Sequence, residues 1–228
     1  MLTTRYFVFV HVHKTGGKFI KSICRDYLPS DWIIPNTRGD HAGIRQIPPE
    51  CEGLPVFAAI RNPWDWYVSW YHFTRQRERW AADYEDPSDW RWAFDSGRAS
   101  FKQAVSALCG EPIAPGERSE PAMEPRWVAK AREHDWDLYS HWCHLVLRNG
   151  PDTGRIEMGR YERLTDDFLS FLRRHEIRVG KRFESALKAA PPVNASCREP
   201  YRGYYDAELR ELVRYKCRRI VDMYGYDF

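Results

Sequence analysis

The chain has 228 residues, 43% hydrophobic and 29% charged, which fits one globular domain able to bury a full core without disulfide or metal staples. Lys plus Arg number 35 against 32 Asp plus Glu, and a net charge of +3 excludes a protein held on nucleic acid by bulk charge. The 15% aromatic content implies a thick core, a ring-binding cleft, or both. The cations are 27 Arg to 8 Lys, and the Arg fork suits phosphate, sulfate and carboxylate as well as ordinary surface ion pairs.

Tyr6 to Val12 is a nearly unbroken β-branched and aromatic run, the pattern of a strand buried on both faces. A Gly-containing turn follows. Then a helical stripe places Phe19, Ile23 and Tyr27 on one face, with Ile20 and Cys24 beside it, and Pro29 ends it. Residues 29–54 read as loop with room for one short helix near His41. Leu54 to Ile60 is a second buried strand. Arg61 follows it, and then a helix for which Asn62 is the N-cap, Pro63 the first residue and Asp65 the dipole partner.

Residues 77–125 read as an insertion or lid within a single 1–228 domain. They hold an acidic, Trp-rich segment at 83–94, a helix near 99–109 and a Pro/Gly-rich loop from Gly110 to Pro125. Further on, helix is expected over Trp136–Leu147 and strand over Arg155–Tyr161. An amphipathic helix spans Leu164–His175, with Leu164, Phe168, Phe171 and Leu172 inward. A loop with Pro191 and Pro192 precedes a last helix from Asp206 to Met223, terminated by Gly225. Strand, Gly-containing turn, helix, then a second strand predicts a P-loop-like three-layer α/β/α domain around a mostly parallel sheet.

The six cysteines form no CxxC and no zinc-ligand spacing, so they read as buried, reduced thiols of a cytosolic protein. No signal peptide is visible, and no apolar run approaches the ~20 residues of a membrane helix. A cytoplasmic location without a membrane span is expected.

Two motifs carry chemistry. His11-Val-His-Lys14-Thr15-Gly16-Gly17-Lys18 lies between strand and helix, where backbone N–H groups and the helix N-terminus favour an anion. The ATP-binding Walker pattern fails three times. Val12 stands where its first Gly belongs, Phe19 where its Mg²⁺-holding Ser or Thr belongs, and Arg61 where a metal-holding Asp would end the second strand. The second motif runs Arg61-Asn-Pro-Trp-Asp-Trp-Tyr-Val-Ser69-Trp-Tyr71. An Arg at a strand's carboxyl end points into the crevice where open α/β sheets bind ligands, and Ser69 lies two turns along the next helix.

In that order the motifs resemble those of sulfotransferases that use 3′-phosphoadenosine 5′-phosphosulfate (PAPS), particularly the carbohydrate and bacterial branch. The segment Asn194–Asp206, with Arg198, and the terminus Tyr224–Phe228 are similar to that branch too. This chain departs from the pattern at His13 for Pro, Lys18 for Thr, Phe19 for Ser or Thr, and Trp66 for Arg. The resemblance implies a metal-free sulfuryl transfer to an acceptor hydroxyl on a glycan, phenol, lipid or natural product, leaving the product PAP. It implies that Lys14 neutralises the leaving phosphate and that Thr15, Gly16, Gly17 and Lys18 hold the 5′-phosphate. It assigns the 3′-phosphate to Arg61 and Ser69, with Arg198 as a second grip. The acceptor's general base is expected at His41, the one His between the two motifs, while His11 supports the turn and His13, His72 and His141 are alternatives. A P-loop phosphotransferase and a non-catalytic nucleotide- or RNA-binding module are the rival readings.

Overall fold

The computed structural model describes residues 1–35, 39–78, 93, 98–113, 126–147, 156–191 and 198–228. Most of the acidic segment 83–94, the loop beyond residue 113 and residues 192–197 lie outside the described residues. The fold is mixed α/β and divides into two compact units, Met1–Arg61 with Trp142–Ala195, and Asn62–His141 with Ser196–Phe228.

The first unit holds a five-stranded sheet made of β1 (Leu2–Thr4), β2 (Val8–Val10), β3 (Ile33–Ile34), β4 (Val56–Ile60) and β5 (Ile156–Arg160), in the order β3-β1-β2-β4-β5. The core strands β2, β4 and β5 run parallel, with Phe9 opposite Phe57 and Ala59 opposite Gly159. β1 is antiparallel to both its neighbours. The expected first strand is therefore shorter, and β1, three residues bounded by a turn at Arg5 and Tyr6, is an element the sequence pattern did not announce.

Alternation sorts the strand residues. Phe7, Phe9, Phe57 and Ala59 face one layer of helices: α1 (Gly17–Tyr27), Leu164–Arg174 and Lys181–Ala189. Leu164, Phe168, Phe171 and Leu172 point inward from the second of these, as their spacing predicts. Val8, Val10, Val56, Ala58 and Ile60 on the other face are equally buried, so the sheet is a middle layer. The helix Lys181–Ala189 went unread in the sequence. Its apolar contribution, Phe183 and Leu187, is two residues spaced i, i+4, too few to stand out as a stripe.

The second unit is helical. α2 (Pro63–Glu78) starts as expected, with Asn62 Oδ1 accepting from the backbone of Trp64 at 3.0 Å and of Asp65 at 3.3 Å. Phe101–Leu108 is capped by Ser100, a short helix Arg126–Glu133 follows, and of the next helix, Leu138–Leu147, the residues up to His141 belong to this unit and those from Trp142 to the first. The last helix is two, Ala207–Lys216 and Arg218–Tyr224, broken at Cys217 and ended by Gly225 at φ +57. Trp66 is fully buried and stacks on Tyr139 at 4.4 Å and Trp70 at 5.1 Å. Tyr67 donates to the buried Asp137 carboxylate at 2.8 Å. Much of the aromatic load is thus core.

The five described cysteines, at 24, 51, 109, 143 and 217, are buried and unbridged, and burial pushes the Cys24 thiol well up. No helix among the described residues is long and apolar enough to cross a membrane.

Phe168 is fully buried among Phe7, Phe9, Phe57 and Phe171. Phe168→Ala is expected to cost about 3–5 kcal/mol of stability. Urea unfolding measures it, and a loss under ~1 kcal/mol would contradict this packing.

Candidate functional site

Three parallel strands end side by side, and each delivers a site segment at its carboxyl end. β2 delivers the His11–Gly16 turn, β4 delivers Arg61, and β5 delivers Tyr161. The turn is tight and built from specific contacts. Thr15, fully buried, donates its hydroxyl to the Val12 carbonyl at 2.9 Å. Lys14 has a left-handed backbone at φ +61, a conformation that costs a non-Gly residue roughly 1–2 kcal/mol. Arg61, 5% exposed, holds that conformation by donating from Nη1 to the Lys14 carbonyl at 3.0 Å. The same guanidinium lies 3.9 Å from the Tyr161 ring centre.

The two glycines have different reasons. Gly16 is left-handed at φ +83, and a Cβ there would sit 2.4 Å from Leu164 Cδ2. At Gly17 a Cβ would fall 1.8 Å from His11 Cδ2, inside the imidazole ring. The His11 ring therefore fills the space beneath the first turn of α1, the turn-supporting role expected of it. No side chain caps α1, and its first turn holds no acidic residue but does hold the exposed Lys18. That leaves N–H groups and positive potential for an anion.

His41 joins the same turn from the loop after β3. Its Nδ1 lies 3.1 Å from the His11 carbonyl oxygen. A carbonyl only accepts, so Nδ1 carries the proton and Nε2 is the basic nitrogen of the neutral ring. Burial is the main cause that pushes His41 below the ordinary imidazole value, and the Lys21 ammonium adds to it against the His11 hydrogen bond and Asp40. The loop is pinned on either side of His41. Asp40 pairs with the buried Lys21 of α1 at 2.6 Å, and a Cβ on Gly43 would fall 2.9 Å from the Leu145 carbonyl. The His13 ring stacks on His41, centroids 3.4 Å apart at 16°, and Trp142 lies 4.2 Å from His13.

Lys14, Thr15, Gly16, Gly17, Lys18, Arg61 and His41 thus share one site in the first unit. Ser69 and Arg198 belong to the second. There Arg198 pairs with Asp65 at 2.6 Å, and Asp65, Ser69 and His72 follow one another along one face of α2. His72 Nε2 lies 2.8 Å from the Tyr204 hydroxyl, and its basicity is lowered by burial, then by Arg198 and Arg75. Sequence reasoning passed over Tyr161, Lys21, Asp40 and Trp142. The strand-end rule that singled out Arg61 applies equally to Tyr161, whereas Lys21 and Trp142 carry no local signal. A cavity of about 390 Å³ opens beside the turn, lined by Gly16, Phe19, Tyr161 and Leu164. Among the described residues no His, Cys, Asp or Glu cluster is arranged to hold a metal ion.

No family profile matches the sequence, and no curated protein does either. Among solved structures the chain is similar to mouse sulfotransferase SULT7A1 complexed with PAP, at 14% identity and a TM-score of 0.47, over 98% of this chain and 88% of that one.

Two outcomes follow from the His11 ring. Gly17→Ala is expected to destabilise by ~1–3 kcal/mol through overpacking, although Ala is the better helix former by about 0.5–1 kcal/mol. A stabilised variant in urea unfolding would contradict the contact. His11 is 4% exposed, and burial holds its pKa far below the ordinary value of 6.5. The unfolded chain therefore binds this proton below pH 6.5 while the folded chain does not. Stability should be full above pH 6.5 and fall on acidification by up to ~1.4 kcal/mol per pH unit from this group. Equal urea midpoints at pH 7 and pH 5 would contradict it.

Proposed function

We propose that the protein is a sulfotransferase that uses PAPS as donor and a hydroxyl-bearing molecule as acceptor. One observation carries this reading. At the carboxyl ends of three adjacent parallel strands, a cationic turn with an uncapped helix behind it meets a histidine held as its Nδ1–H tautomer. Such a site can bind a phosphosulfate and take a proton at one place.

The residues fit the donor. N–H groups from Thr15 to Lys18 are assigned the 5′-phosphate, Lys14 the charge on the bridging oxygen, and Phe19 and Tyr161 the walls for the purine. The motif order assigns the 3′-phosphate to Arg61, Ser69 and Arg198, and Arg198 would exchange Asp65 for it. The donor supplies an activated sulfuryl group on an anhydride to phosphate. His41 accepts the acceptor hydroxyl's proton at Nε2, and the His11 carbonyl stabilises the imidazolium through Nδ1–H. The whole chain is read as one catalytic domain of the carbohydrate and bacterial branch, placed in the cytoplasm, with residues 77–125 governing acceptor choice.

Calorimetry with PAP and ADP tests donor recognition. PAP should bind at least ~10-fold tighter, about 1.4 kcal/mol, since it carries its second phosphate on the 3′ oxygen, where Arg61, Ser69 and Arg198 are assigned, whereas ADP carries it on the 5′ side. Equal affinities would remove the reading's most specific support. His41→Ala should keep PAP affinity and lose most turnover, a fall of ~10²–10⁴ for a general base. Near-normal turnover would sink that assignment. Transfer of the γ-phosphate of ATP in the presence of Mg²⁺ would instead favour a phosphotransferase.

A further inference from the structure

We infer that His13 is a positioning residue whose ring sets the plane of His41 and so fixes where Nε2 points. The inference deepens the reading of His41 as general base and rests on it for its functional meaning. The geometry stands apart from that reading.

A hydrogen bond to Nδ1 holds one atom of an imidazole but leaves the ring free to swing about that contact. A second, flat contact removes the swing. His13 supplies it, stacked 3.4 Å from His41 with the ring planes only 16° from parallel. Trp142 packs on His13 in turn, 4.2 Å away at 49°, and so restrains the restraining ring. His11 contributes both the carbonyl that holds Nδ1 and a ring 4.5 Å from His41. His41 is thus bounded by two other imidazoles, and an indole backs one of them. His13 occupies the position at which the resembled family carries Pro, a residue that cannot stack in this way while offering a planar π-face.

The stack also has an electrostatic consequence. Two imidazolium ions face to face at this distance repel, so a charge on one ring disfavours a charge on the other. Among the described residues, the other charged or titratable groups acting on His41 are Lys21 and the Met1 amino group, which oppose its protonation, Asp40, which favours it, and the buried His11. Removing the His13 ring would expose His41 to water and let its basicity rise toward the ordinary value. An aromatic replacement without a titrating nitrogen would keep the plane and the burial.

The test is an NMR titration of the His41 imidazole in the whole protein, in wild type, His13→Ala and His13→Phe, with turnover against pH in parallel. In wild type His41 should show the Nδ1–H tautomer and a midpoint below 6.5. In His13→Ala the midpoint should move up, the upfield ring-current shift of the His41 Hε1 proton should shrink, and kcat should fall about tenfold at constant donor KM. The acid limb of the pH profile should move the same way. His13→Phe should restore the ring shift and most of kcat. An unchanged His41 midpoint and ring shift in a folded His13→Ala protein would overturn the inference, whatever the turnover. Should those NMR changes appear while His41→Ala remains fully active, the positioning would stand and the general-base reading would be the one to fall.

Discussion

The contact on which the site depends is the His11 ring lying under the first turn of α1. It occupies the volume a side chain at residue 17 would need, so the second glycine of the turn is required by packing before any ligand is considered. The same residue's carbonyl is the acceptor for His41. One histidine, 4% exposed at the end of β2, therefore sets both how closely α1 approaches the sheet and which nitrogen of His41 is basic. Its burial in turn requires that it stay neutral, since an imidazolium without solvent or a carboxylate partner is costly to hold.

Around that contact burial and the Lys21 ammonium both oppose protonation of His11 and His41. Lys21, buried on α1, is paired with the half-exposed Asp40, and its ammonium disfavours protons on His11 and His41. Lys18 is exposed in the first turn of α1, and Arg61 is bound into the turn through the Lys14 carbonyl. The strained backbone at Lys14 is offset by that bond and by the Thr15 hydroxyl two carbonyls back. A turn fixed in this way is preorganised, so the proposed donor would meet N–H groups that need little rearrangement.

β2, β4, β5, α1, α2 and the helix from Leu164 were legible because each carries its own local signal. A doubly buried strand is a continuous apolar run, α2 has Asn62 and Pro63 at its start, and the last of these has four inward residues at helical spacing. β1, β3 and the helix Lys181–Ala189 were not legible, because two or three residues or one i, i+4 pair are too short a pattern. In the site, the turn and Arg61 could be read from the chain, and so could a histidine between them. Arg61's hold on the Lys14 carbonyl, the Tyr161 ring beneath its guanidinium and the His13–His41 stack could not, because each joins residues whose relation exists only after the strands have paired. The departure at Trp66 likewise became intelligible only in three dimensions, as a core ring stacked between Tyr139 and Trp70.

The central claim is that the strand-end site transfers a sulfuryl group. It is tested most directly by incubating the protein with sulfur-labelled PAPS and a mixed library of glycan, phenol, lipid and natural-product hydroxyls. Label on an acceptor, with PAP released in equal amount, is the expected result. Failure to transfer label or release PAP with any acceptor class, from a folded protein, would contradict it.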